Sequence, residues 1–174
     1  MSPAPEILLR LHTAYAAGVY RFLWMLTRDP EAAQDLLQEV FVKLARDASG
    51  LTAAVSEQAW IFRIGRNAAL DWLRRGRVRD RAALHLADLV EAFVMPEDPD
   101  AAALERRMAG ALAMLPQEQR AAVHLHLWEA LTFREIAEIQ EVPLPTVTSR
   151  YRYGITALRA ALQPLYSELY EPLS

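Results

Sequence analysis

The sequence contains no cysteine. That single absence removes disulfides, thiolate nucleophiles, cysteine-ligated zinc, iron–sulfur clusters and thiol redox sensing together. Only six of the 174 residues are glycine, and runs of β-branched residues are scarce, so a strand-and-turn architecture has little to be built from. No stretch reaches the roughly 20 uninterrupted apolar residues of a membrane span, so no membrane insertion is expected. The opening residues, MSPAPEILLRLHTAY, offer neither a basic leader nor a small-residue cleavage site, and the expected location is cytoplasmic. Histidine is sparse too: His12, His85, His124 and His126 are the four present. The one close pair, His124 and His126, is spaced by two on a helix, points to different faces and cannot share a metal as an i, i+4 pair does. No catalytic residue, metal or cofactor is expected.

What the chain does have is apolar and helix-favouring. Its hydrophobic content is 53%, ample for burial, and Ala, Leu, Arg and Glu abound. From Glu6 to Thr27, apolar residues recur at helical spacing: Ile7, Leu8, Leu11, Tyr15, Val19, Phe22, Leu23 and Leu26. Asp29 and Pro30 form a cap and first-turn pair for a second helix reaching about Arg46. DASGLTAAVSE breaks the pattern, a third helix starts near Ser56, and Gly76 ends it. Between Ala82 and Glu105 six carboxylates, Asp88, Glu91, Glu97, Asp98, Asp100 and Glu105, occur with no Lys or Arg, and MPEDPD adds two prolines. This is the natural linker. The expected architecture is all-α: a first domain over residues 1–92, an acidic linker over 93–100, and a second domain over 101–174. In the second domain, Asp100 caps a helix ending at Met114, Pro116 begins one running to about Glu129, and Thr132 with Glu135 forms a T-x-x-E capping box.

The segment TFREIAEIQEVPLPTVTSRYRYG, Thr132 to Gly154, has the form of a helix-turn-helix. Phe133, Ile136, Ala137 and Ile139 form one inner face; Leu144, Val147, Tyr151, Ile155, Leu158 and Leu162 form the other. Left outward at the start of the last helix are Thr146, Thr148, Ser149, Arg150, Arg152 and Tyr153. Their hydroxyls and guanidinium groups suit phosphates and base edges. The competing reading is an ordinary helical hairpin with a solvated face.

The first domain offers two further surfaces. Its third helix carries Arg63, Arg66, Arg74, Arg75, Arg77, Arg79 and Arg81 against only Asp71 and Asp80, with Trp60, Asn67 and Trp72 interleaved. Cations for phosphates, an amide for a base and aromatic rings for stacking suit partly single-stranded DNA. The plainer alternative makes the tryptophans core residues and the arginines a solvated face. The second helix differs: Asp35, Gln38, Glu39 and Val42 form an outward strip that is acidic and polar. Carboxylates repel phosphate, so this strip suits a protein partner.

DLLQEVF at Asp35–Phe41, AWIFRIGRNAALDWLRR at Ala59–Arg75, LPQEQR at Leu115–Arg120 and the helix-turn-helix, in that order, resemble a bacterial sigma factor of the extracytoplasmic-function (ECF) class. The likeness covers most of residues 7–162. It implies that the first domain is the family's region 2 and the second its region 4. It further implies that Asp35, Gln38, Glu39 and Val42 dock on RNA polymerase core. Trp60, Arg63, Arg66, Asn67, Arg74, Arg75 and Arg77 would recognise and open the promoter −10 element, with a flipped base near Ser49 to Ser56. Thr146, Thr148, Ser149, Arg150, Arg152 and Tyr153 would read the −35 element. The implied partners are core polymerase, promoter DNA and an anti-sigma factor. A net charge of −3 is then tolerable, because polymerase supplies most nonspecific phosphate contact, and the acidic linker would suit the polymerase's nucleic-acid channels.

Three departures from the family pattern fall in the DNA-reading segment. Glu141 and Pro145 stand where glycine is usual, and Thr148 where a basic residue is common. Rival readings are a free-standing helix-turn-helix regulator, which would normally dimerise, a sigma-like mimic that binds only an anti-sigma factor, and an enzyme. Nothing looks like a dimerisation helix, the retained arginines argue against the mimic, and the histidines are the enzyme's only handle.

Overall fold

The structure, a computed structural model, describes residues 5–46, 49–51, 54–76, 107–108 and 110–170, with side chains described up to Gln163. The expected linker and domain boundary at 93–100 therefore lie outside the described residues, as does the start of the helix that Asp100 would cap. Every regular element among the described residues is helical. Helix α1 spans Pro5–Thr27, α2 Pro30–Arg46, a single 3₁₀ turn Ser49–Leu51 and α3 Glu57–Arg74. In the second half a helical stretch at 110–114 precedes α4 at Gln117–Leu127, α5 at Phe133–Gln140 and α6 at Leu144–Tyr170.

The caps act as their sequences predict. Asp29 Oδ1 accepts the N–H groups of Glu31 at 3.0 Å and Ala32 at 3.2 Å, closing the start of α2. Ser56, in an extended conformation, accepts the Ala59 N–H at 3.0 Å and fixes the start of α3. Gly76 follows that helix with a φ of +66°, the left-handed stop. Thr132 and Glu135 form both bonds of the capping box that opens α5. Glu141 ends α5 at φ 55°, ψ 44°, a left-handed conformation that explains why glycine is usual there.

Two expectations are corrected. Helix α4 ends at Leu127 rather than near Glu129, because Ala130 takes a positive φ of 54° and the chain folds back so that the Leu131 N–H reaches the Leu125 carbonyl. Leu144 is 48% exposed, not on the inner face; it sits in the first turn of α6, and Val147, fully buried, is the first inner residue. The final helix continues as far as Tyr170.

Helices α1, α2 and α3 pack on one another and α4, α5 and α6 likewise, but the two groups are not separate bodies. Helix α3 lies against α5 and α1 against α4. One continuous apolar core joins Phe22, Leu23, Ile61 and Phe62 of the first half to Ala122, Leu125, Ile136 and Ile139 of the second. A smaller cluster, Leu112, Leu115, Val123 and Leu158, belongs to the second half alone.

Gly154 explains itself once α4 and α6 are seen together. A Cβ there would lie 2.7 Å from Val123 Cγ2 and 3.3 Å from the Gln119 carbonyl oxygen. Alanine normally favours a helix over glycine by about 1 kcal/mol, yet overpacking of this kind costs about 1–3 kcal/mol. Gly154→Ala should therefore lower stability by about 1 kcal/mol in urea denaturation; a gain would show that the two helices part without cost.

Candidate nucleic-acid interface

On α2, Asp35, Gln38, Glu39 and Val42 stand at i, i+3, i+4 and i+7 and are all exposed. Between them and the core lie Ala32, Ala33, Leu36, Val40 and Leu44, all buried. Val42 is 47% exposed, an apolar residue left in an otherwise polar strip. A small cleft beside it, lined by Asp35, Glu39, Asp71, Trp72 and Arg75, joins the strip to the end of α3.

Helix α3 is not a free basic face. Trp60 is only 7% exposed and packs over Gly50, where a Cβ would meet its indole Nε1, so its ring serves the core rather than an unstacked base in this structure. Arg63 pairs with Glu138 of α5 at 3.5 Å. Arg66 is 8% exposed, and one terminal nitrogen donates to both carboxylate oxygens of Glu118 at 3.1 Å. Asn67 is half-buried. Arg74 and Arg75 are exposed, Arg74 with a weak pairing to Asp71 at 3.2 Å. Arg77 lies outside the described residues.

The face of α6 is more open. Thr148, Arg152 and Tyr153 are exposed, with Tyr153 at 58%, and the Arg152 guanidinium carbon stands 5.3 Å from the Tyr153 ring centre. That cation–π contact prearranges the two side chains. Thr146 and Ser149 are half-buried. Arg150 is turned inward instead: it donates to Gln140 Oε1 at 2.7 Å and to Glu118 Oε2 at 3.2 Å. It holds α4, α5 and α6 together. The Gln140 side chain completes this arrangement by donating to the Glu118 carbonyl at 3.0 Å.

Sequence patterns gave no sign of a buried polar node behind α3. Glu129, its side chain 7% exposed, accepts from Arg21 of α1 at 3.0 Å and lies 3.4 Å from Nε2 of His124. Its backbone carbonyl accepts from the Gln58 side chain at 2.9 Å. His124 is almost wholly buried and its ring stacks on Phe22 and Trp128. Burial pushes the His124 pKa down despite the Glu129 carboxylate, leaving it neutral near pH 7. Burial alone would raise Glu129, but His124 and Arg21 outweigh it and hold the carboxylate below its ordinary range. Arg120, buried beside Arg28, is lowered to about 10, chiefly by desolvation, and remains charged at neutral pH. His126 is an aromatic-packing residue too: Nδ1 lies 2.8 Å from the Leu131 carbonyl and the ring contacts Phe133 and Tyr151. Among the described residues no group of three His, Asp or Glu is placed to hold a metal, and no helix is long and apolar enough to cross a membrane.

The residues that sequence reasoning missed, Arg21, Glu118, Glu129 and Glu138, are single charges distant in sequence, three on helices and Glu129 in the turn after α4. Glu118 lies in the motif LPQEQR and Glu138 in the helix-turn-helix, but neither motif marks the residue itself.

Residues 11–79 match the model of sigma-70 region 2, and residues 105–158 that of sigma-70 region 4. The chain is 36% identical over 173 residues to the ECF RNA polymerase sigma factor SigE of Mycolicibacterium smegmatis, covering 95% of this chain and 64% of that protein. It is 30% identical over 157 residues to the ECF sigma factor SigL of Mycobacterium tuberculosis, covering 89% and 88%. Among solved structures, the sigma factor RpoE of Bartonella quintana, crystallised with the anti-sigma factor NepR, matches with a TM-score of 0.70 at 22% identity, over 92% of this chain and 98% of that one. That likeness is one of fold.

Proposed function

This chain belongs to the ECF class of the sigma-70 family, and we propose that it divides the work of an alternative sigma factor among three surfaces. It is a transcription initiation factor that binds RNA polymerase core and directs it to promoters. In this reading the α2 strip of Asp35, Gln38, Glu39 and Val42 docks on core polymerase. Asn67, Arg63, Arg66, Arg74, Arg75 and Arg77 meet the −10 element, and Trp60 supports them from beneath rather than stacking on a base. Thr148, Arg152 and Tyr153 read the −35 element with Thr146 and Ser149 at its margin, while Arg150 positions the helix. Work with polymerase places the protein in the cytoplasm, and its role calls for no catalysis. An anti-sigma factor is its proposed regulator.

The observation that carries the docking assignment is the α2 strip: four exposed residues on one face, acidic enough to repel DNA, over a fully buried inner row. Purified wild-type chain should co-elute with core polymerase, and the Gln38→Ala, Glu39→Arg double variant should not, with a loss of at least about tenfold in affinity. Retained binding by a folded double variant would move docking to another surface. No binding by the folded wild type would turn the reading toward a mimic.

A further inference from the structure

Building on the assignment of α6 to the −35 element, we infer that this chain reads that element chiefly through thymine methyl groups. Leu144 and the Thr148 methyl are the specificity-determining contacts, with Arg152 as the guanidinium beside them.

The start of α6 is an apolar ridge, at the end of a recognition helix that meets base edges. Leu144 is 48% exposed, and Pro143, Pro145 and Thr148 are exposed around it. Leu144, Thr148 and Arg152 stand at i, i+4 and i+8, so they share one face and span about 12 Å of helix, the width of a major groove. The polar atoms of the ridge are already committed or missing. The Thr148 hydroxyl donates to the Leu144 carbonyl at 3.1 Å, which ties its only hydrogen to the helix backbone and leaves no donor for a base. Pro145 has no N–H, so the first turn lacks one of the donors that a phosphate would otherwise take.

Positive charge is held back from the same face. Arg150 turns inward to Gln140 Oε1 at 2.7 Å and Glu118 Oε2 at 3.2 Å, and a guanidinium so engaged does not reach a guanine. Of Arg150 and Arg152, only the second faces solvent, its guanidinium carbon 5.3 Å from the Tyr153 ring centre. Leu144 and the Thr148 methyl therefore meet what the major groove offers to apolar groups, the C5 methyl of thymine. Cytosine at the same place would bring an amino donor that the ridge strips of water without replacing its bond. Arg152, one turn beyond Thr148, is left for a guanine.

The test uses holoenzyme, the full chain with core polymerase, to select duplexes from a pool randomised across the −35 positions. Thymines of the selected element are then replaced one at a time by deoxyuridine, which removes the methyl and keeps base pairing. At one or more positions wild-type affinity should fall about fourfold, the scale of one buried methyl group. Thr148→Ser, which keeps the hydroxyl, should bind both duplexes alike at the position Thr148 reads, and Leu144→Ala should do so at a second position. Thr148→Val, which keeps the methyl and drops the hydroxyl, should respond as wild type does. An element without thymine, or one whose thymines all tolerate deoxyuridine, overturns the inference. So does loss of the methyl response in Thr148→Val, or its survival in both Thr148→Ser and Leu144→Ala. Failure to form holoenzyme, or to select any −35 sequence with it, overturns the initiation-factor reading and this inference together; a selected element indifferent to methyl groups overturns the inference alone.

Discussion

Phe22→Ala should lower stability by about 3–5 kcal/mol, and the loss should be felt in both halves of the chain at once. Phe22 is fully buried on α1. Its ring lies 5.6 Å from that of Phe62 on α3 and 5.9 Å from that of His124 on α4. The cavity left by truncation would open where the two halves meet, with aromatic walls that cannot collapse without moving a helix. Because the apolar core runs unbroken from Leu23 and Ile61 to Leu125 and Ile139, calorimetry should give one transition for the wild type and one, at lower temperature, for the variant. Two transitions, with only the first shifted by Phe22→Ala, would mean that the halves fold independently and meet weakly.

Loss of the Glu129 carboxylate ranks second in size. Glu129→Ala leaves Arg21 without its partner at 3.0 Å and His124 without the oxygen at 3.4 Å. Stripping one partner from a buried ion pair typically costs about 3–5 kcal/mol, and since the Arg21 side chain is 30% exposed and can turn to water, about 2–3 kcal/mol is expected. The same node sets a pH dependence. The folded pKa of His124 lies below its ordinary 6.5, so in the window beneath 6.5 the unfolded chain binds more protons, and stability falls as the pH falls. The folded pKa of Glu129 lies below its ordinary 4.5, so its contribution is present above 4.5 and is lost on acidification through the folded value. The melting temperature of the wild type should therefore decline from pH 7 to pH 5, first through His124. His124→Phe, which keeps a ring between Phe22 and Trp128, should flatten that decline. An unchanged slope would place the sensitive group elsewhere.

Local grammar made much of the fold legible. Asp29 before Pro30, Ser56 before α3, Gly76 after it and the Thr132–Glu135 box each act through neighbours within a few residues, so their effect is readable from spacing. The same holds for the α2 strip, where the 3.6-residue period puts Asp35, Gln38, Glu39 and Val42 on one side whatever else the chain does. Arginine function was less legible. Arg66 and Arg150 look alike in sequence to Arg74 and Arg152, yet one pair is engaged by Glu118 and the other faces solvent. Trp60 was open for a similar reason: a tryptophan's burial depends on what packs against it.

The sequence by itself thus determined the all-helical class, the capped helices, the helix-turn-helix and the three candidate surfaces, because periodicity and capping are properties of adjacent residues. Only the tertiary structure decided that the two halves share a core and that Glu118 and Glu138 pair with Arg66 and Arg63 of α3. It also gathered Arg21, His124 and Glu129 into one buried node. Those outcomes depend on pairs up to 108 residues apart in the chain, brought together by the burial of Phe22, Phe62 and Ile136, and no local pattern encodes such a meeting.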